Sequence, residues 1–394
     1  MNRIVPLILA VALFMEQMDS TVIATALPAI AADLEVGPIT LKLALTSYMV
    51  ALAIFIPISG WMADRFGAKT IFRMAILVFI IGSILCAVSG TLVQFVLSRF
   101  LQGMGGAMMT PVGRLLLLRT TKRSDLVSAM ALLTIPALIG PLTGPPIGGF
   151  ITTYFTWHWI FIINVPIGFL GIWLSGIYLP KIDTVQPPPI DWLGFFLIAM
   201  AAAGTVFGLS VVSLPALPPA FGISATAVGI LCGFLYIGHQ RRHPSPILSL
   251  SLFRNEAFRA ATSSGTIFRV STGAIPFLMP LMLQLAFGLN PFQSGMITFA
   301  GALGALMVKF VARRVFAATG FKVTLIAAGV LGAVTTSVNG FFTPETSHAL
   351  IIAFLVMSGL CRSFFFTGSN ALSYSEIDDA QASQATSIAS VLQQ

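Results

Sequence analysis

Charge is scarce in this sequence. Asp, Glu, Lys and Arg make up 9% of its 394 residues, against about 25% in typical soluble proteins. Hydrophobic residues reach 57%, more than a soluble core needs. Cysteine is nearly absent. Cys86, Cys232 and Cys361 lie far apart, each within an apolar run, which leaves no disulfide framework and no zinc-type spacing. No Gly-x-x-x-x-Gly-Lys-Ser/Thr phosphate loop occurs, which removes ATP hydrolysis by that route. The glycine cluster "GMGGA" (103–107) lacks the strand context of a dinucleotide site. No nucleophile–base pair and no metal constellation stands out. The expectation is a chain with no catalytic residues, no metal and no cofactor: not an enzyme.

What is present is apolar sequence in long runs. A helix rises 1.5 Å per residue, so about 20 apolar residues cross a hydrocarbon core of roughly 30 Å. Twelve such runs lie near 5–30, 43–62, 72–90, 92–117, 127–152, 158–179, 192–213, 218–238, 258–286, 292–312, 323–342 and 348–372, and a thirteenth starts near 383. The first run is too long for a cleaved signal, contains Glu16 and Asp19 and leads straight into the second. It is expected to stay as an uncleaved first span.

The formal charge of +8 points to topology rather than to nucleic acid. With the N-terminus inside and alternating spans, sixteen of the 21 lysines and arginines fall on the inner side. These include Arg3, Arg65, Lys69, Arg73, Arg119, Lys122, Arg123, Lys181, Lys309 and Lys322, while only Lys42 falls outside. That is the positive-inside pattern, and it places the N-terminus in the cytoplasm. No nucleic-acid partner is expected.

The polar, proline-rich stretch "PKIDTVQPPPID" (180–191) separates six runs from the rest, and residues 239–258 make a second interruption after two more. The expected plan is a six-helix bundle over 1–180, an inserted helix pair with linkers over 181–256, and a second bundle over 257–394. "GAKTI" from Gly67 aligns with "GFKVT" from Gly320 at an offset of 253, which superposes spans one and two on nine and ten. The same offset puts counterparts of spans five and six near 380–405 and 411–432, so fourteen spans are expected of the intact protein, with about 12.5 in this chain.

Several motifs carry a resemblance. "GWMADRFGAK" (60–69) is similar to the loop signature of the major facilitator superfamily through Gly60, Asp64, Arg65, Gly67 and Lys69, with Ala68 where a basic residue is common. "LSRFLQGMGGA" (97–107) resembles the fourth-helix motif through Arg99, Gln102 and Gly103. "MDSTVIATALP" (18–28) resembles the first-helix motif of the fourteen-helix drug:proton antiporters (EmrB/QacA type), with Ala24 replacing a usual Asn. "DWLGFFL" (191–197) resembles the start of that branch's inserted pair, and "GPPIGG" (144–149) its fifth-helix antiporter motif. "GGAMMTPVGRL" and "WHWIFIINVPIG" bring the chain nearest the MdtD-like members. The resemblance implies an all-α polytopic membrane protein of the major facilitator fold, two six-helix bundles plus an inserted pair. It also implies proton-coupled multidrug efflux, with gating at the loop motif.

The residues themselves locate candidate sites. Gly140, Gly144 and Gly148 repeat every four positions, one face of a helix, where small residues let another helix approach. Pro141, Pro145 and Pro146 remove backbone donors and bend it. With Gly149, this face is expected to meet the opposite bundle during gating. Glu16 and Asp19 are three apart near mid-membrane. A charge there costs about 2.5–3.5 kcal/mol on insertion scales and usually marks a pathway. They are the proton-coupling candidates; an ion pair between Asp19 and Arg99 is an alternative, and protonation could break it. Arg99, Arg114, Arg269 and Arg362 are the intramembrane bases, with Arg114 near enough to the inner end to snorkel. Together with Gln284 and Asn370 they are candidate cavity residues. Guanidinium forks match carboxylates, so an organic anion or anionic chelate stands beside amphipathic drugs as the cargo. The expected partners are a small-molecule substrate, protons and the lipid bilayer of a bacterial inner membrane; a periplasmic adaptor is left open. A non-transporting sensor or scaffold is the third reading.

Overall fold

The structure, a computed structural model, describes residues 4–121, 126–180, 189–212, 218–244, 246–248, 250–374 and 388. The expected thirteenth span apart from residue 388, most of the proline-rich linker, and the basic residues Arg3, Lys122, Arg123 and Lys181 lie outside the described residues.

Helices follow the apolar runs because polar caps and glycine turns fall between them. α1 (Ile4–Asp33) leads to α2 (Lys42–Phe66), and Gly67 at φ 88° turns the chain into α3 (Ala68–Ala87). Thr91 caps α4 (Leu92–Thr120) by accepting from the Gln94 amide. α5 (Leu126–Tyr154) carries the glycine ladder, and two short helices, α6 (Trp159–Ile162) and α7 (Asn164–Tyr178), make up the sixth span. α8 (Trp192–Val212) and α9 (Pro219–Gln240) form the inserted pair. The ninth run is interrupted. α10 (Glu256–Thr272) stops at Gly273, and α11 (Ile275–Leu281) continues into a π turn over Met282–Ala286. The runs at 292–312 and 323–342 merge into α12 (Pro291–Val338), broken only at Gly320, where φ is 75°. Thus the two aligned glycines both adopt the positive φ that favours glycine. Asn290 and Gln293 close a capping box at the start of α12. α13 (His348–Tyr374) ends the described helices.

Ten helical stretches among the described residues are long and apolar enough to cross a membrane. α4 and α5 bring the total to the twelve runs read from the sequence. Large side chains face outward along them, among them Trp173, Phe234 and Phe310, as an apolar solvent requires.

α1 packs on α4, α5 and α7, while α3 packs on α4, so the first seven helices share a core. Phe72, Phe79, Met15 and Leu116 lie within it. α12 and α13 form the main contact of the second half. α8 and α9 sit to one side, held against α2, where Thr46 and Ser210 hydroxyls are 2.8 Å apart.

The glycine ladder of α5 does allow close approach, but the helix it admits is α1 of the same half. A Cβ on Gly140 would lie 2.9 Å from the Met18 amide nitrogen, and one on Gly148 would lie 2.5 Å from the Val22 carbonyl oxygen. This corrects the expectation for Gly140, Gly144 and Gly148, whereas Gly149 does meet the second half, at Pro291 and Phe292. The spacing dictates a smooth face, not the identity of its neighbour. Gly148→Ala should therefore destabilise by about 1–3 kcal/mol, the usual cost of overpacking. Thermal unfolding in detergent checks it.

Candidate functional site

Two polar sites lie on opposite faces of α1. The first is buried inside the first half. Asp19 (α1) is 3% exposed and Arg99 (α4) 1%. The Arg99 Nη1 donates to Asp19 Oδ2 at 2.7 Å, while Gln102 Nε2 and Asn164 Nδ2 donate to Oδ1 at 2.9 and 2.7 Å. Gln102 also donates to Ser83 Oγ at 2.8 Å and, through its Oε1, accepts from Arg99. Tyr48 and Phe161 present ring faces to the guanidinium at 4.4 and 5.8 Å, adding cation–π attraction. Three donors on one carboxylate and two rings around one cation hold both ions in the buried interior of the first half. Removing either charge leaves the other stranded.

Glu16, one turn earlier, is also buried, at 6% exposure. Its Oε2 accepts from Thr110 Oγ1 at 2.6 Å. Its hydrogen-bond partner is thus a hydroxyl, not the guanidinium that holds Asp19.

The second site is a cavity of about 700 Å³ between the halves. α1 lines it with Gln17, Ser20 and Thr21, α5 with Pro141 and Pro145, and the second half with Arg269, Lys309, Arg362 and Asn370. Among the described residues, three cations and no carboxylate line this space. Phe366 stands 4.6 Å from the Arg269 guanidinium. Desolvated arginines beside an aromatic face, with hydroxyls and amides opposite, can bind an anionic group on an otherwise apolar molecule.

Arg269, Arg362 and Asn370 thus meet in one cavity, together with the α5 prolines. Arg99 does not join them, because its side chain is spent on Asp19. Arg114 is exposed and outside the cavity lining. Gln284 instead donates to the Thr25 carbonyl at 3.0 Å, linking α1 to the π turn of the second half. Lys309 was not among the sequence candidates, since the charge count placed it with the inner loops. Its signal lies in Gly301, Ala305 and Lys309, spaced by four on one face of α12. Asn164, an amide in an apolar run that suits either a cavity hydrogen bond or a contact between helices, is the third donor to Asp19; nothing in its spacing reports that partner.

The halves touch at the end of the molecule where α5 finishes and α12 begins. The Phe292 amide donates to Thr153 Oγ1 at 3.0 Å, and the Phe150 and Tyr154 rings each pack 6.2 Å from Phe292. Gly149 and Gly295 allow this closeness: a Cβ on Gly149 would lie 2.9 Å from the Phe292 Cα. At the other end, Asp64 pairs with Arg119 Nη2 at 2.6 Å, tying α2 to α4. Lys69 donates to the Gly176 carbonyl at 2.8 Å and to that of Leu179, at the C-terminal end of α7, where the helix dipole favours a cation. Arg65 is exposed, and a Cβ on Gly60 would meet nothing within 4 Å. The partner of Asp64 in this structure is therefore a guanidinium of the same half.

A family model described as Major Facilitator Superfamily matches residues 9–394. The chain is 37% identical over 385 residues to HsrA of Haemophilus influenzae, provisionally named a transport protein, covering 98% of this chain and 83% of that one. It is 35% identical over 387 residues to MdtD of Pectobacterium atrosepticum, provisionally named a multidrug resistance protein, with coverage of 98% and 83%. Among solved structures, a POT family transporter in complex with 5-aminolevulinic acid superposes with a TM-score of 0.73 at 16% identity, covering 98% of this chain and 87% of that one. The D-xylose-proton symporter does so at 0.65 and 14%, covering 99% and 86%. These structural likenesses speak for the fold alone.

Proposed function

The chain belongs to the major facilitator superfamily and is a multi-pass membrane transporter rather than an enzyme; from that premise we propose that it is a proton-coupled exporter. It moves small organic molecules out of the cytoplasm across a bacterial inner membrane. The observation that carries the reading is the pair of sites on opposite faces of α1: buried carboxylates inside one half, and a ligand-sized cavity between the halves. A helix shared by both can couple protonation to rocking.

Positive-inside counting puts the Gly67 and Gly320 turns in the cytoplasm. The α5–α12 contact is then periplasmic, and the cavity reaches from it toward Lys309 and Asn370, so this is the inward-facing form. Residues 1–180 move against 257–394, with 181–256 as the linking insert. Glu16 and Asp19 take protons, and release of Asp19 from Arg99 frees α1. Gly140, Pro141, Gly144, Pro145 and Gly148 keep α1 and α5 moving as one, and Gly149 forms the outer seal. Gly60, Asp64, Arg65, Gly67 and Lys69 shape the inner gate.

Multidrug efflux is the reading supported by the named relatives. The charge of the cavity favours a second: export of an organic anion or anionic chelate. In cells lacking their own efflux pumps, expression should lower accumulation of exported compounds, and a protonophore should restore it. Export that persists after the proton gradient is collapsed would contradict the coupling.

A further inference from the structure

Away from both sites, the inserted pair brings together residues that lie far apart in sequence. Asp191 precedes α8, and its Oδ1 accepts from the Gly194 amide at 2.8 Å, capping that helix. His239 is in the last turn of α9. The His243 amide donates to the His239 carbonyl at 3.1 Å, so one helical turn carries on and sets both imidazoles on one face. Their ring centres are 5.2 Å apart. His239 Nε2 lies 2.7 Å from Asp191 Oδ1, and His243 Nδ1 lies 4.0 Å from Oδ2.

A simple His–Asp pair explains only part of this. It needs one imidazole and one carboxylate oxygen. What it does not explain is the Asp191 Oδ2, an oxygen buried without any hydrogen-bond partner on a residue only 4% exposed, with a second imidazole 4.0 Å away. A buried anionic oxygen left bare is costly. A cation beside it removes that cost.

We propose that Asp191, His239 and His243 form a divalent-metal site whose preferred ion is zinc. The ligand atoms lie within 4.8 Å of one another, whereas ligands sharing a zinc at about 2.0–2.1 Å stand roughly 3.4 Å apart in tetrahedral geometry. Binding the ion therefore requires the three side chains to adjust by that difference. Two imidazoles and one carboxylate suit zinc, and a water completes the four-coordinate shell. The scaffold is firm. The Tyr236 hydroxyl donates to the Leu248 carbonyl at 2.7 Å and accepts from its amide at 2.9 Å, and Leu197, Ile198, Leu252 and Phe258 pack around it. Arg241 and Arg242 are exposed, so solvent and salt screen their repulsion. The bound metal fastens the start of α8 to the end of α9, where the chain leaves the insert for α10. This role does not depend on the transported substrate.

The test uses the full chain in detergent, purified without a polyhistidine tag and stripped with a chelator. Titration with zinc chloride should show one ion per chain and a higher unfolding temperature. Cobalt(II) should give the visible absorption of a four-coordinate site. His243→Gln leaves the Asp191 cap and the His239 contact in place, and should weaken zinc binding by at least ~100-fold, since even supporting partners of a ligand are worth 10–100-fold. His239→Gln should do the same. No stoichiometric zinc binding to the wild-type chain would overturn the proposal. So would binding that is unchanged in both histidine variants while their folding is intact.

Discussion

Asp19→Asn should reduce proton-driven transport to the level of vesicles without the protein. It should also destabilise the fold by about 3–5 kcal/mol, the cost of removing one partner from a buried ion pair. Asparagine keeps the volume and can still accept from Gln102 or Asn164, but it cannot neutralise Arg99, which is 1% exposed. Two roles are mixed in that result, and a double variant separates them. Asp19→Asn with Arg99→Gln removes both charges and should recover much of the lost stability, because a neutral buried pair carries no stranded ion. It should not recover coupled transport. Thermal unfolding and pH-gradient-driven uptake, measured on both variants, decide the matter. A double variant that is stable and still coupled would reduce Asp19 to a structural residue.

The second large effect concerns the cavity. Arg269→Gln and Arg362→Gln should each weaken binding of an anionic substrate by about 10–100-fold. Hydrogen bonds to a charged group contribute about 1.5–3 kcal/mol, and about 1.4 kcal/mol is tenfold in affinity. Lipophilic cations should be bound as well as before or better, because the variants lose repelling charge. Binding titrations with both ligand classes check this. Anion affinity unchanged in both variants would return the arginines to a packing role, with Arg269 resting on Phe366.

How far the sequence reached depended on the kind of signal. The helices were legible because apolar runs of membrane length, punctuated by Gly67, Thr91, Asn290 and Gly320, leave little choice of chain path. The buried pair was half legible. An aspartate and an arginine in apolar helices must find partners, but Gln102 and Asn164 are donors that any interhelical contact could have used. The α5 ladder announced close approach without naming α1, since a face of glycines is the same whichever helix covers it. Lys309 was counted with the loops because topology counting follows distance along the chain, and a helix that stays intact to Gly320 carries Lys309 into the cavity wall. Asp191, His239 and His243 were invisible as a group. Asp191 and His239 are 48 positions apart, and only the antiparallel packing of α8 on α9 brings their ends together.

The most direct test of coupled export is made in inside-out membrane vesicles with an imposed pH gradient. A panel of organic anions and lipophilic cations is added in turn, and the gradient is followed. Coupled export predicts that at least one class collapses the gradient, and that Asp19→Asn abolishes the collapse. If the anions do so, and need Arg269 and Arg362, the cavity charge selects the cargo. Labelled substrate that crosses the membrane without any movement of protons would contradict proton-coupled export.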